Sequence, residues 1–538
     1  MSTAPKKTIF LREATGLRRN LSWLDAFGIN VLTINVGLGA LFLAFLAPTS
    51  FPGGDMVLAT LLTTVGSLIC ALTWAFLGGS MPRLGGDYIY VSRIVNPLLG
   101  FVSNWSVVWF SWLFDVVAVY FFVTDALSPG LYALGYLTAN PSLSSLAATV
   151  ATPTWIFIIG VVIIAVITAI VLVSTKAFMY VVHAVWIVGV IGCLATLVAF
   201  LGSSSSNFVS NINAYAASVA GISNYYATVL QTGSGGFVPL NPMSISTILV
   251  IPIAYFSLGW FFYSSYIGTE IKNVSRAQIV GMTLSVLVAG LFMAGLAWAL
   301  EQAVSYQFLY ASSNLYFSNA TAYALPAPPY INYLAMIGSG NVLLSIVIML
   351  GFLAWAVIWM GMGTLLQPRN MMAWSFDRMG PELFGKVHER FGTPHWGIFG
   401  AFCGHVVLFL LTFVVGSFIL GLSSTMGTVI FTFIPIAVAA SIFPWRRAEL
   451  FNLSPGIVKK RIGGVPLISL LGVISLLFVI LNGYLFLAYS AYGANSSSSL
   501  EVIAVIILVG AIWFYFWKYY RKHQGIDVSL AFHEVPPE

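Results

Sequence analysis

Twelve long apolar runs constrain this chain more than any other feature. As a helix, a run of about 20 residues crosses the roughly 30 Å hydrocarbon core of a bilayer. The runs lie at 24–47, 56–79, 97–124, 154–174, 178–201, 245–268, 279–300, 341–366, 397–416, 425–443, 466–489 and 501–519. Only 7% of the 538 residues are charged, against about 25% in soluble domains. The sequence therefore predicts an all-α integral membrane protein with twelve transmembrane helices.

The basic residues predict the orientation. All 22 Lys and Arg residues fall in the N-terminal segment or in loops that follow even-numbered runs. Short loops that carry Lys and Arg stay in the cytoplasm, so both termini are predicted to be cytoplasmic. This placement accounts for the basic pI without a nucleic-acid partner. The two long polar loops on the other side, 202–244 and 302–340, could cover an entrance or be passive surface.

This topology divides the chain into four parts. The expected parts are a cytoplasmic N-terminal segment (1–23), a transport core of ten spans (24–443), a cytoplasmic loop with two further spans (444–519) and a cytoplasmic tail (520–538). We expect the first apolar run to remain as an anchored helix, since it has no small-residue cleavage site. The predicted location is the cytoplasmic membrane, in contact with its lipids.

Small residues and proline interrupt two of the spans at a similar depth. Gly37–Ala40 (GLGA) lies near the middle of span 1, and Pro252, Ser257 and Gly259 interrupt span 6. Glycines in membrane helices also permit close helix packing, so span 1 alone leaves packing and ligand binding open. Interrupted segments at corresponding positions of two halves are typical of a transporter's binding site. Halves of five spans each would be inverted relative to one another.

Four loop motifs resemble those of the amino acid–polyamine–organocation (APC) superfamily. They are Met81–Arg93 (MPRLGGDYIYVSR), Gly268–Asn273 (GTEIKN), Arg369–Pro381 (RNMMAWSFDRMGP) and Lys386–Pro394 (KVHERFGTP). They occur in the order and on the side of the membrane seen in that family. The resemblance implies a five-plus-five inverted-repeat (LeuT-type) fold with two extra C-terminal helices.

The same resemblance implies that an amino acid or related amine binds between spans 1 and 6. Backbone N–H groups of span 1 would take the substrate carboxylate, as suits a helix N-terminus, and carbonyls at the span 6 break would take the amino group. The residues so implied are Gly37, Leu38, Gly39 and Ala40 in span 1, and Tyr255, Phe256, Ser257, Leu258 and Gly259 in span 6. This chain departs from the family's Gly-x-Gly-Ile-Phe by one residue before Phe42.

Asp115 lies well inside the third apolar run. A carboxylate at that depth is costly and is a functional candidate. It could pair with a substrate ammonium, take up a coupling proton or be a structural carboxyl hydrogen-bonded to its neighbours. His183 and His405, in spans 5 and 9, could relay protons or be hydrogen-bonded structure. Ser22 and Asp25 form a capping-box pattern at the start of span 1.

Structural roles also explain the remaining polar and aromatic candidates. Glu270 belongs to a family motif, and we expect it to pair with Lys272 or Arg276. Trp355 and Trp359, one helical turn apart in span 8, could pack over a ligand or make ordinary helix contacts. No His, Cys, Asp or Glu cluster has metal-site spacing and no phosphate-binding loop occurs, so neither a metal nor a cofactor is expected.

These features favour a secondary active transporter for an amino acid or related amine. Span 8 offers no mid-depth Ser/Thr pair for sodium, and span 5 offers no lysine in the position that replaces sodium in proton-coupled relatives. Proton symport through Asp115 is therefore a hypothesis by elimination, with exchange or uniport as alternatives. A membrane enzyme lacks support because the ionisable groups show no catalytic spacing. A non-transporting sensor would usually carry a soluble signalling domain.

Overall fold

A computed structural model describes residue 17 and residues 19–534. Within that part of the chain, twelve helices are long and apolar enough to cross a membrane, which confirms the predicted number of spans. Spans 1 to 12 are Trp23–Ser50, Met56–Ser80, Pro97–Leu137, Pro153–Val173, Thr175–Leu201, Ile245–Glu270, Val274–Val304, Val342–Phe376, His395–Val415, Ser423–Arg446, Leu467–Ala488 and Ser497–His523. Most of the predicted N-terminal segment, and residues 535–538 of the predicted tail, lie outside the described residues.

Shorter elements connect the spans. The connecting helices are Asp87–Ile94, Pro141–Val150, Ser205–Ala220, Tyr225–Gly233, Tyr306–Phe317, Ile331–Ser339, Glu382–Gly385, Ala448–Leu453, Ser490–Tyr492 and Val528–Phe532. The helix Ser417–Thr428 leads into span 10, and the two-residue strands Arg461–Ile462 and Val465–Pro466 pair antiparallel between spans 10 and 11.

Span 8 is a longer helix than its apolar run predicts. The run covers 341–366, whereas the helix is Val342–Phe376. Arg369 consequently lies inside the helix rather than in the loop after it. Its guanidinium is fully buried, and the Glu270 carboxylate lies 3.0 Å away. Because this partner compensates the charge, the helix continues beyond the apolar stretch.

The packing of spans 1 to 10 follows a regular pattern. Span 2 packs against span 7, and span 3 packs against span 8. Span 1 packs against span 7 as span 6 packs against span 2, and span 5 packs against span 8 as span 10 packs against span 3. Span 4 contacts span 8 as span 9 contacts span 3. Each pair named here turns into another named pair, or into itself, when both of its spans are replaced by the spans five places away.

Loops after even-numbered spans meet at one end of the helices, called here the basic face. Arg447, after span 10, donates to the carbonyl of Arg93, after span 2, over 2.6 Å. It also donates to the carbonyl of Phe532, in the segment after span 12, over 3.0 Å. Backbone hydrogen bonds join Leu21, before span 1, to Glu270 at the end of span 6 and to Lys272 just after it. These contacts hold the basic face together.

The long loops between spans 5 and 6 and between spans 7 and 8 form a helical cover on the opposite face. The hydroxyl groups of Tyr215 and Tyr333 lie 2.6 Å apart, and the rings of Tyr226 and Phe308 stack at 4.5 Å. The N–H of Gly53, after span 1, donates to the Tyr306 hydroxyl over 3.0 Å. These loops therefore pack on each other and on the end of span 1.

Candidate functional site

Span 1 is broken at Asn35. The two half-helices are Trp23–Ile34 and Val36–Ser50, and Asn35 between them has φ 60° and ψ 72°. Asparagine is among the few residues that tolerate this left-handed conformation. Its side chain is fixed on both sides, since Nδ2 donates to the Trp355 carbonyl over 2.9 Å and Oδ1 accepts from the Leu38 N–H over 3.2 Å. The break therefore lies two residues before Gly37, where the predicted glycine segment begins.

The glycines of span 1 serve close packing beside this break. A Cβ added at Gly37 would lie 2.9 Å from Trp355 Cγ, and one added at Gly39 would lie 2.5 Å from Ser257 Oγ. Trp355 is held in place because its indole N–H donates to the Gly189 carbonyl over 3.0 Å. The glycine segment therefore packs closely against its neighbours and also lies beside a helix break.

Backbone N–H groups at the start of the second half-helix remain candidates for anion binding. Asn35 already accepts from Leu38 through its side chain and from Gly39 through its carbonyl, over 2.9 Å. The first positions of a helix, here Val36 and Gly37, have no intrahelical acceptor for their N–H groups. Their partial positive charge suits a carboxylate. Of the predicted donors, Gly37 thus has the more available N–H, while Ala40 lies one turn into the half-helix.

Span 6 is interrupted at the matching depth. Its first half-helix ends at Leu258, Gly259 and Trp260 are not α-helical, and the chain resumes as the 3₁₀ segment Tyr263–Glu270. Pro252 lies inside the first half without stopping it. The interruption therefore falls at the serine–glycine end of the predicted segment.

Carbonyls of the predicted span 6 residues point into the interruption. The Tyr255 carbonyl accepts from the Gly259 N–H over 3.0 Å, and the Ser257 carbonyl accepts from the Trp260 N–H over 3.2 Å. The Phe256 carbonyl accepts from the Trp260 indole over 2.9 Å. A carbonyl oxygen has two lone pairs. These groups can accept a second bond from a ligand ammonium.

Hydrogen bonds tie the two interruptions together. The Ser257 hydroxyl donates to the carbonyl of Ile34 and, over 3.1 Å, to that of Asn35. The Thr33 hydroxyl donates to the Trp260 carbonyl over 2.7 Å. The predicted residues of spans 1 and 6 are thus brought together at one junction. Ser257 contacts both the break in span 1 and the packing surface of Gly39.

An aromatic layer lies beside this junction. Phe114 of span 3 packs against Phe256 (5.3 Å between centroids), Trp260 (5.3 Å) and Trp359 (4.2 Å). Phe42 packs against Phe256 at 5.5 Å. Trp359 therefore contacts aromatic residues beside the junction, which leaves both of its interpretations open. Phe114 and Trp260 were not predicted, because single aromatic residues in apolar runs carry no spacing signal.

A vestibule of about 460 Å³ leads from the opposite face toward the aromatic layer. Phe42 and Phe256 line it, together with Phe317 of the helical cover and Phe486 of span 11. Cavities of this size suit small organic ligands. The rings of Phe42 and Phe256 stand between the vestibule and the deeper junction.

Two buried ion pairs lie at the basic face. Arg369 binds Glu270 at 3.0 Å and also donates to the Thr175 hydroxyl over 2.8 Å. Arg93 binds Asp377 at 2.5 Å. The expectation that Glu270 pairs with Lys272 or Arg276 is wrong. The chain reverses after span 6, and this carboxylate faces the buried side of span 8 instead.

Asp115 forms a buried hydrogen bond with His405. Asp115 Oδ2 lies 2.8 Å from His405 Nε2, and both side chains are fully buried. His183 is likewise paired, with Asp25 at 2.9 Å. Asp25 also completes the predicted capping box with Ser22, which is confirmed. Neither histidine is isolated, and Asp115 faces spans 8 and 9 rather than the vestibule.

Asp87, between spans 2 and 3, is a buried carboxyl of the first loop motif. It is fully buried and accepts from Asn104 of span 3 over 2.9 Å. Burial raises the pKa of Asp87 to about 7. Asn104 in turn accepts from the Trp374 indole of span 8 over 2.7 Å. The carboxyl therefore joins the loop to two spans.

The raised pKa of Asp87 predicts a pH-dependent stability. Between about pH 4 and 7 the folded protein keeps a proton that the unfolded chain releases, so the free energy of unfolding falls as pH rises and levels off above pH 7. For Asp87→Asn we expect this decline to shrink by on the order of 2 kcal/mol between pH 5 and 7. Thermal unfolding of both proteins in detergent at several pH values measures it. An unchanged pH profile would contradict it.

The fold and this junction define a multi-pass membrane transporter. A sequence comparison then identifies the family. Residues 21–512 match the sequence profile of the amino acid permease family, and the chain belongs to that family, within the APC superfamily. This confirms the resemblance carried by the loop motifs. The family consists of transporters and not of enzymes.

Proposed function

We propose that the protein carries an amino acid or a related amine across the cytoplasmic membrane by alternating access. The single observation that supports this most is the junction of the two interruptions, where Ser257 donates to the span 1 carbonyls and Thr33 donates to the Trp260 carbonyl. Positive helix-end N–H groups of span 1 and carbonyl oxygens of span 6 come close together at this junction. This polarity suits a substrate with a carboxylate and an ammonium group.

In this proposal the substrate carboxylate binds the N–H groups of Val36 and Gly37. Gly37 belongs to the predicted segment Gly37–Ala40, and Val36 directly precedes that segment. The ammonium binds carbonyls among Tyr255, Phe256, Ser257 and Leu258, beside Gly259. Phe256 and Trp260 then cover the bound substrate. The substrate enters through the vestibule when the Phe42 and Phe256 rings separate.

The packing pattern supports the five-plus-five inverted repeat. Each packed pair described above for spans 1 to 10 has a counterpart when every span is exchanged with the span five places away, as a repeat of residues 24–443 would produce. The basic face is then the cytoplasmic side by the distribution of Lys and Arg. The two buried ion pairs at that face close the inner exit in this conformation. Opening would require Arg369 to leave Glu270.

We further propose that transport is coupled to protons through Asp115. This carboxyl bonds to His405 and not to a group at the junction, which favours proton uptake over contact with a substrate ammonium. Exchange or uniport without a coupling ion is the alternative. It would require that Asp115 serve the structure alone.

Uptake into proteoliposomes tests this function. A mixture of labelled L-amino acids and small amines is offered to the purified protein with an inward proton gradient, with no gradient, and with unlabelled amino acid inside. Accumulation that requires the gradient supports symport. Counterflow without gradient-driven accumulation supports exchange or uniport. No uptake in any arm would overturn the transport assignment.

A further inference from the structure

The side chains of Asp115 and His405 form an isolated polar pair within the helix bundle. Their hydrogen-bonded atoms lie 2.8 Å apart, and both side chains are fully buried. Asp115 Oδ1 and His405 Nδ1 have no hydrogen-bond partner in the described part of the chain. The Trp112 ring packs edge-on against the imidazole at 5.8 Å. Two groups that can each bind a proton therefore face one another inside the helix bundle.

The surroundings supply one further titratable group. From span 6, the Tyr263 hydroxyl donates over 2.5 Å to Ser111, which lies one helical turn before Asp115 on span 3. From span 8 the pair faces Gly363, which carries no charge. Within the described residues, His405 is the side chain that bonds to Asp115. No lysine or arginine there fixes the charge of the carboxylate.

Charge balance then determines which protonation states are stable. With one proton between them, the carboxyl and the imidazole are neutral as a unit, either as two neutral groups or as an ion pair. Loss of that proton leaves a carboxylate without a compensating charge at bilayer depth, which is unfavourable. Two groups this close titrate together, so that the proton belongs to the pair. Release of the proton therefore requires that the pair gain water or a positive partner.

Gly363 places this pair against the helix that closes the basic face. A Cβ at position 363 would lie 2.8 Å from Asp115 Cγ, so the carboxyl touches the backbone of span 8. One turn earlier on span 8, Trp359 packs against Phe114, the neighbour of Asp115, at 4.2 Å. Further along the same helix, Arg369 binds Glu270. A change in the charge of the carboxyl thus acts on a helix that contacts both the candidate site and the inner closure.

We propose that Asp115 and His405 bind the coupling proton jointly, and that Gly363 transmits the protonation state of the pair to span 8. His405 is a positioning residue and a second proton carrier in this scheme. The inference rests on the proposed transport function, which it deepens by naming the residues of the coupling site.

Infrared difference spectroscopy tests the pair without relying on transport. A protonated Asp115 contributes a carboxyl C=O stretching band in the purified protein in lipid, and the band is titrated with pH. We expect the pH-dependent part of this band that comes from the Asp115 carboxyl to be absent in Asp115→Asn. We expect His405→Gln to move the midpoint of that part by about one pH unit or more, a tenfold change in proton affinity. His183→Gln is the matched control, because it alters the other Asp–His pair, and it should leave the midpoint unchanged.

Transport by the same variants provides the second readout. With the membrane potential clamped at zero, an inward gradient of one pH unit supports about tenfold accumulation of the labelled amino acid mixture for one proton per substrate. We expect Asp115→Asn and His405→Gln to lose this accumulation while counterflow stays within about twofold of wild type. Retained counterflow shows that the variants fold.

The two readouts separate the inference from the transport proposal. A midpoint that is unchanged in His405→Gln, or full gradient-driven accumulation in that variant, overturns the joint proton site. Failure of every protein, wild type included, to transport amino acids overturns the proposed function, while the infrared titration still decides whether the pair shares a proton. Gly363→Ala completes the series. Because span 8 contacts the carboxyl at Gly363, we expect this substitution also to shift the pH midpoint of the infrared band.

Discussion

Replacing Glu270 with glutamine is expected to destabilise the closed basic face by about 3–5 kcal/mol, the usual cost of removing one partner from a buried ion pair. Glutamine keeps the shape of the side chain but leaves the Arg369 guanidinium charged and fully buried. The bonds from Arg369 to the Leu365 carbonyl (2.5 Å) and to the Thr175 hydroxyl (2.8 Å) remain, and neither supplies a negative charge.

Two measurements check this expectation. The thermal unfolding temperature in detergent should fall. A cysteine introduced between the junction and the basic face should also react faster with a thiol reagent added on the side of the basic face. Glu382→Gln is the control, because the Glu382 side chain is 59% exposed in its pairs with Arg378 and Arg521, and Arg521 keeps its bond to Gln524. Exposed pairs contribute about 0–1 kcal/mol, so the control should behave like wild type. Equal effects of the two substitutions would show that the buried pair does not hold this face closed.

The second large effect is expected from Gly39→Ala. A methyl group at position 39 would lie 2.5 Å from Ser257 Oγ and 2.7 Å from its Cβ. Ser257 cannot withdraw freely, because its hydroxyl donates to the carbonyls of Ile34 and Asn35. Overpacking of this kind costs about 1–3 kcal/mol. Since the strain falls on the junction itself, we expect the initial rate of amino acid uptake to drop roughly 10-fold to 100-fold.

Gly295→Ala provides the comparison for this substitution. Gly295 also lies inside a membrane helix, in span 7, but a Cβ there meets no described atom within 4 Å. Alanine favours a helix over glycine by roughly 0.5–1 kcal/mol, so this variant should be as stable as wild type or slightly more so. Uptake by Gly39→Ala at the rate of Gly295→Ala would indicate that spans 1 and 6 can separate at this contact without loss of function.

The number and order of the spans were predictable because the bilayer imposes a length on each apolar run. The ends of the long helices were not. Span 3 passes from the predicted limit near 124 through a π-helical turn, Phe121–Leu127, to Leu137. Span 8 continues past Arg369 because Glu270 compensates its charge. Such continuations depend on tertiary partners, which apolar length does not reveal.

The candidate site was predictable to within a few residues. Glycine marked the weak point of span 1, but the break itself uses the left-handed conformation of Asn35. In this conformation the Asn35 side chain is held by Trp355 and Leu38. The partners come from a distant span and from the next helical turn. Sequence reasoning therefore located the segment and missed the residue that breaks it.

The pairing of the histidines lay beyond the sequence. His405 lies 290 positions from Asp115, and His183 lies 158 positions from Asp25. No local spacing joins residues so far apart, and each histidine alone fits a structural role as well as a functional one. The fold brings each of them to a carboxylate. The pairing supports the proposed role of Asp115 in proton coupling.

A structure of the purified protein with a transported amino acid tests the central claim most directly. The account predicts the substrate carboxylate within about 2.7–3.2 Å of the N–H groups of Val36 or Gly37. It predicts the ammonium at a similar distance from a carbonyl between Tyr255 and Leu258. A substrate bound only in the vestibule, on the far side of the Phe42 and Phe256 rings, would contradict the assignment of the junction as the transport site.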